Sequence, residues 1–288
     1  MTASGGRRVA IVLHRNRPEA VELARQAVAW LVGRGHEVRV PSEDASVTGL
    51  EEWSCPEEKL AHDLDLAVSL GGDGTILRTV DMVCPAGVPV LGINVGHLGY
   101  LTECEPGELW TALDRFFAGD HGVEERMMLE VCPERPGVPE RVSALNEAWL
   151  ERSVPGHMVR MEVTLGGRPF ITYAADGLIV ATPTGSTAYN LSVRGPILSP
   201  TLRALVMTPV SPHQLFDFSL VLDPSEDVRV EVLEGRGATL LVDGRAVSEL
   251  QPGDAVTCRA GAHPARLVTF GPRNFHRILR AKFGLADR

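Results

Sequence analysis

The hydrophobic period of this chain changes once, near residue 125, and that change constrains its architecture more than any other feature. Before it, short apolar runs rich in β-branched residues alternate with stretches of helical spacing. Residues 8–14 (RVAIVLH) read as a buried parallel strand. A helix follows, with Pro18 in its first turn and apolar residues at Ala20, Val21, Leu23, Ala24, Ala27, Val28, Leu31 and Val32. Strands are expected at 37–41, 64–70 and 88–95, and a short helix at 108–117. Residues 43–61 are polar and mixed and read as a loop or flap. The β-α-β-α order implies a parallel sheet with helices on both faces. After residue 125, runs of β character succeed one another at 126–133, 142–151, 158–165, 169–173, 177–182, 203–208, 218–222, 228–233, 238–243 and 255–260. Gly, Pro and Asp turns separate them. This second part reads as a β-rich sandwich. The tail at 273–285 is helical again and is expected to pack back on the first domain. The expected division is 1–125, 126–265 and 266–288.

The 288 residues are enough for two domains with a substantial core. A formal charge of -9 speaks against a nucleic-acid or anionic-membrane partner. The five cysteines are scattered and never spaced as CxxC, so free thiols are expected, not a disulfide framework or structural zinc. No two histidines have metal-ligand spacing, and no tightly bound metal is expected. The first apolar run is too short for a signal-peptide core, and no run approaches the ~20 residues that span a bilayer. The expected location is the cytoplasm.

The chemistry concentrates in four places. The strand at 64–70 runs straight into Gly71-Gly72-Asp73-Gly74-Thr75, where helical spacing resumes. Glycines there let backbone amides approach a phosphate, and Thr75 sits near a helix N-terminus, which favours anions. Asp73 repels phosphate, so a carboxylate there makes sense as a proton acceptor for an attacking hydroxyl or as a holder of magnesium. The alternative is a tight turn in which Asp73 caps the helix. Asn146-Glu147 offers an amide suited to an adenine edge or sugar hydroxyl and a carboxylate suited to a ribose diol, or is a polar turn between strands. From Asp176 to Ser192 an apolar strand empties into a hydroxyl-rich run, with Thr184, Ser186, Thr187, Tyr189 and Ser192 crowded about Gly185. Such a run suits a polar ligand. Asp243-Gly244 reads, by itself, as a hairpin turn.

Taken in order, GGDGT (71–75), GHLGYL (96–101), NEAW (146–149), DGLIVATPTGSTAYNLS (176–192), PHQL (212–215) and VDG (242–244) resemble the NAD kinase family. GGDG alone is shared with phosphofructokinases, diacylglycerol kinases and sphingosine kinases, whereas the 176–192 run is far more specific. The resemblance implies an α/β domain of phosphofructokinase-like type joined to a β-rich domain. It implies transfer of the γ-phosphoryl of ATP, or of inorganic polyphosphate in some bacterial members, to the 2′-hydroxyl of the adenosine ribose of NAD. Mg²⁺ or another divalent cation accompanies ATP, and the enzyme is expected to be a homodimer or homotetramer.

Residue by residue, the resemblance makes Asp73 the catalytic residue, as general base or positioning group for the 2′-hydroxyl, and Gly71, Gly72, Gly74 and Thr75 the phosphate loop. Gly74 and Tyr100, the latter standing where Phe is usual, fall beside NAD. Asn146 and Glu147 hold adenine and ribose, Thr187 and Ala188 line the adenine side, and Thr184 binds NAD. Asp176, Tyr189 and Ser192 contact the nicotinamide-ribose half, Asp176 and Tyr189 across a subunit interface. Asp243 lies near the reacting ribose. Leu191 stands in place of Lys, Arg245 in place of Gln, and Val193-Arg194-Gly195 in place of an Ala-Gly-Gly type run. Two competing readings are a lipid or sphingoid-base kinase sharing the GGDG loop and a non-catalytic NADP-binding sensor.

Overall fold

The structure, a computed structural model, describes residues 6–234, 237–272 and 275–285. The chain divides into two compact units, one of residues 1–125 and 265–288, the other of 126–264.

The first unit opens with β1 (Arg8–Leu13), α1 (Pro18–Val32), β2 (Glu37–Pro41), α2 (Ser42–Thr48), β3 (Ser54–Cys55), α3 (Glu57–Leu60), β4 (Leu66–Gly71), α4 (Asp73–Val83), β5 (Pro89–Asn94), α5 (Leu109–Phe117) and β6 (Gly122–Arg126). Pro18 begins α1, whose buried stripe is Ala20, Ala24, Ala27, Val28 and Leu31. β4 is buried along its whole length, as a central parallel strand must be. The segment at 43–61 is not a loop: α2, a 3₁₀ turn, β3 and α3 occupy it. Its short elements bury only Asp44, Ala45 and Thr48 from α2 and Leu60 from α3, too little to leave an apolar period in the sequence.

The second unit contains β7 (Leu129–Glu134), β8 (Val142–Ala144), β9 (Glu147–Arg152), β10 (Val159–Leu165), β11 (Arg168–Ala175), β12 (Gly177–Ala181), α6 (Tyr189–Ser192), β13 (Leu205–Val210), β14 (Leu220–Leu222), β15 (Val228–Glu234), β16 (Ala238–Val242), β17 (Arg245–Leu250) and β18 (Ala255–Ala260). They form two six-stranded sheets, ordered β11-β10-β15-β18-β7-β8 and β14-β13-β12-β9-β16-β17. One core gathers Leu129 and Val131 with Leu150, Leu178, Val180, Val230 and Leu240. Alternating burial in β7, β15 and β16 reflects one wet face. β12 is buried at every position, because its second face packs Ile179 and Ala181 against Leu198, Val206 and Tyr189. The run expected at 142–151 is two strands, with Leu145 and Asn146 between them.

The chain then returns to the first unit through β19 (Ala265–Thr269), which pairs in parallel with β5, and α7 (Phe275–Phe283). The helix expected at 273–285 is thus described from Phe275, while Arg273 and Asn274 lie outside the described residues. The first sheet is ordered β3-β2-β1-β4-β5-β19-β6, and its ladders from β3 through β19 are parallel. Sequence periodicity did not reveal β19, a five-residue strand whose place is set by an edge more than 170 positions upstream. Successive strands run outward from β1 to β3 and then, from β4, to the other side. The reversal lies between β1 and β4, and the crevice beyond their carboxyl ends is where open α/β sheets bind ligands.

Candidate functional site

A pocket of about 530 Å³ occupies that crevice, lined by the 13–17 segment after β1, by Gly72 to Thr75 and by Arg78 of α4. Gly72 and Gly74 present open backbone, with nothing near the position a Cβ would take. Gly71 differs: the Thr75 side chain and His14 fill that space, and Gly71 does not line the pocket. None of these three glycines has positive φ. The loop needs glycine for close approach, not for a left-handed turn. Of the residues expected to cradle phosphate, Gly72, Gly74 and Thr75 line the pocket and Gly71 supports it from behind.

Asp73 is the first residue of α4, and Gly72 caps the helix without a side-chain bond, so the capping alternative does not describe Asp73. Its carboxylate accepts the N–H of Tyr100 at 2.8 Å and of Leu101 at 3.0 Å, one on each oxygen. A Cβ at position 99 would collide with Asp73 Oδ1, which explains Gly99 in the GHLGYL segment. Each oxygen keeps a further lone pair for a ligand proton. The Tyr100 ring lies under the Lys282 ammonium at 4.5 Å, and burial followed by the Asp73 charge raises its phenol pKa. A second cavity of similar volume touches Leu98 and Gly99 and is lined by Glu103, Glu105 and Glu108. Those carboxylates accept the Phe270 N–H, the Asn94 amide and the Glu105 N–H, an arrangement unsuited to an anionic ligand.

In the second unit, Asn146 and Glu147 are shaped by two distant segments. Asp243 accepts the N–H groups of Leu145 (2.8 Å), Asn146 (2.9 Å) and Glu147 (3.1 Å). Thr182 donates its N–H to Asn146 O at 2.8 Å and its hydroxyl to Leu145 O at 2.5 Å. Gly185 lies so close that a Cβ would strike the Asn146 carbonyl. Glu147 is 8% exposed, accepts the Tyr189 N–H, and keeps Oε2 buried without a partner. Burial, then the Asp243 charge, push its pKa up to about 8. The Tyr189 ring packs on Trp149 with centroids 4.4 Å apart, and Asp176 pairs with Arg152 at 2.7 Å. Burial, then the Glu151 and Asp176 charges, raise the Tyr189 phenol pKa.

The chain matches the ATP-NAD kinase N-terminal domain over residues 9–121 and the ATP-NAD kinase C-terminal domain over 145–270. An NAD kinase of Heliobacterium modesticaldum is 43% identical over 277 residues, covering 95% of this chain and 97% of that protein. The chain belongs to the NAD kinase family. Another NAD kinase, from Syntrophotalea carbinolica, is 38% identical over 284 residues, 98% of this chain and all of that protein. Among solved structures, yeast NADH kinase complexed with NADH has a TM-score of 0.90 at 26% identity, covering 99% of this chain and 90% of that one. An NAD kinase from Archaeoglobus fulgidus in complex with ATP has a TM-score of 0.73 at 26% identity, covering 97% and 100%. The chain is an NAD kinase family enzyme, and the full-length similarity leaves the lipid-kinase reading without support.

Within the family frame, the structure gathers Asp73, Tyr100 and the 72–75 loop in one unit and Asn146, Glu147, Thr184, Tyr189 and Asp243 in the other. Thr184 is buried, with its hydroxyl 3.3 Å from Arg126 Nη1. Thr187 bonds back to Thr184 O, Ala188 precedes α6, and Ser192 is exposed at the end of α6. Ser186 and Asn190 are fully buried and hold the run together through Pro183 O, Leu198 and Thr208. Both Asp243 oxygens serve backbone N–H groups, so it shapes the 145–147 segment. Sequence reasoning missed Arg15, Asn16, Arg17 and Arg78, which line the crevice. The signal for the first three was there, in the HRNR that follows β1 at the point where an open sheet binds ligands.

Proposed function

We propose that this chain transfers the γ-phosphoryl group of ATP to the 2′-hydroxyl of the adenosine ribose of NAD, giving NADP and ADP. The observation that carries this reading is Asp73, a carboxylate fixed by two backbone N–H groups in a pocket otherwise built for phosphate. Asp73 accepts the hydroxyl proton as the new O–P bond forms and the Pγ–O bond to ADP breaks. Gly72, Gly74 and Thr75 hold donor phosphates through backbone amides. Asn146 addresses adenine, and the unpartnered Glu147 Oε2 accepts ribose hydroxyls. Thr184, Thr187 and Ala188 line the adenine side, Tyr100 lies beside it, and Asp176, Tyr189 and Ser192 serve the nicotinamide-ribose half. Mg²⁺ or another divalent cation enters as part of the donor complex. Polyphosphate shares the chemistry of the ATP triphosphate and is a second donor. A homodimer or homotetramer is supported by exposed Leu215 (100%), Phe218 and Phe170 on the second unit. A cytoplasmic location agrees with five free cysteines.

Purified protein incubated with ATP, Mg²⁺ and NAD is expected to make NADP, followed with an NADP-specific dehydrogenase. Tight NADP binding without NADP formation would establish the sensor reading instead.

Glu147 carries a pH prediction. Ribose hydroxyls donate to its ionised form, so ligand binding must first remove the proton of a group with pKa about 8. Affinity for NAD is therefore expected to rise about tenfold per pH unit from pH 6 to 7 and to level off above pH 8. Titration calorimetry from pH 6 to 9 measures this. Glu147→Gln should flatten the profile, and a flat wild-type profile would remove Glu147 from the ribose contact.

A further inference from the structure

Beside the donor pocket lies an ion cluster that none of the sequence motifs described above includes. Asp44, on α2, is 0% exposed. Its Oδ1 accepts Arg15 Nε at 2.7 Å and Arg78 Nη1 at 2.8 Å, and its Oδ2 accepts the Leu13 N–H at 2.9 Å and Arg78 Nη2 at 2.6 Å. All four lone-pair sites of the carboxylate are thus taken. Arg78 Nη2 also donates to Leu13 O at 2.8 Å. The second arm of Arg15, Nη1, pairs with Glu43, whose side chain is 69% exposed.

A buried carboxylate binding two arginines leaves one positive charge over. Within the cluster that surplus is met by Glu43 alone, an exposed carboxylate. Both arginines line the pocket that holds Gly72, Asp73, Gly74 and Thr75. Guanidinium groups fixed in orientation are suited to bidentate recognition of phosphate oxygens. Each guanidinium has five N–H donors, and Asp44 and Glu43 engage only two of those on Arg15. An exposed pair such as Arg15–Glu43 contributes little and yields readily to a multiply charged anion.

We propose that Arg15 and Arg78, locked by the positioning residue Asp44, form the seat for the terminal phosphates of the polyanionic donor, with Glu43 as a stand-in anion that the donor displaces. The proposal rests on the kinase reading for what the phosphate chain is used for. The seat itself depends only on phosphate chemistry.

The test uses the full chain and two probes, inorganic tripolyphosphate in direct binding and MgATP in turnover. Glu43→Gln removes the competing anion from an exposed position and is expected to tighten tripolyphosphate by ~3- to 10-fold and to lower the KM for ATP by a similar factor, with the KM for NAD unchanged. Arg15→Gln is expected to weaken both by about tenfold or more. A brace-only cluster predicts no gain from Glu43→Gln. Unchanged or weaker tripolyphosphate binding in Glu43→Gln would overturn the proposal, as would an Arg15→Gln variant that binds tripolyphosphate like wild type. If the tripolyphosphate affinities move as expected but no NADP forms, the seat stands and the kinase reading fails. If NADP forms but the affinities do not move, the kinase reading stands and the seat fails.

Discussion

Asp243→Ala is expected to cost the second unit about 3 kcal/mol or more, since three N–H groups lose their acceptor and each unsatisfied group costs at least ~1 kcal/mol. The donors belong to Leu145, Asn146 and Glu147, which follow one another along the chain, so the loss falls on one segment. The turn adds to it. Asp243 has φ +46° and Gly244 φ +76°, the pattern of a two-residue hairpin between β16 and β17. Alanine is poor at positive φ, whereas asparagine tolerates it. Asp243→Asn isolates the acceptor effect: one oxygen remains for two of the N–H groups, and the amide nitrogen faces the third. A loss of ~1–3 kcal/mol is expected for that variant, between wild type and alanine. Denaturant unfolding gives the energies, and amide exchange at residues 145–147 shows where protection is lost. NAD affinity should fall with them, because Asn146 and Glu147 no longer hold their places. An alanine variant within about 0.5 kcal/mol of wild type, the range of an ordinary surface change, would refute the shaping role.

The same residue shows how far the sequence could be read. The Asp243-Gly244 hairpin was legible because its backbone chemistry is local. That Asp243 also receives three N–H groups from residues nearly a hundred positions away was not, because side-chain reach across a sheet leaves no period in the chain. The loop at 71–75 was read correctly as strand, turn and helix, and its glycines serve close approach, none of the three having positive φ. Gly71 makes room for Thr75, and Gly99, in a separate segment, makes room for Asp73. Parallel strands β1, β4 and β5 were clear because burial on both faces writes an unbroken apolar run. The 43–61 segment failed for the opposite reason. Its most buried charged residue, Asp44, is held inside by Arg78, 34 positions on, and a lone acid in a polar stretch reads as solvent-exposed until that partner is known.

Asp73→Asn is expected to lower kcat by ~10²–10⁴ while NAD binding survives, the range general-base removal produces. The geometry requires a control. Both Asp73 oxygens hold the 99–101 segment, through Tyr100 N–H and Leu101 N–H. An asparagine supplies one acceptor and turns its NH₂ toward the other N–H, so the segment shifts as well as losing a base. Gly99→Ala separates the two effects. It keeps the carboxylate and drives a methyl group into it, disturbing the same segment without removing the proton acceptor. Misplacement of that kind costs up to about 10²-fold. If Asp73 acts as the base, Asp73→Asn should fall well below Gly99→Ala in kcat, with both variants keeping the wild-type KM for NAD to within a few-fold. Equal losses in the two variants would mean that the carboxylate matters for holding the segment. Near wild-type turnover in Asp73→Asn would remove the base assignment altogether. The phosphate pocket would remain, and catalysis would then rest on alignment and charge neutralisation, which dominate phosphoryl transfer to a hydroxyl in any case.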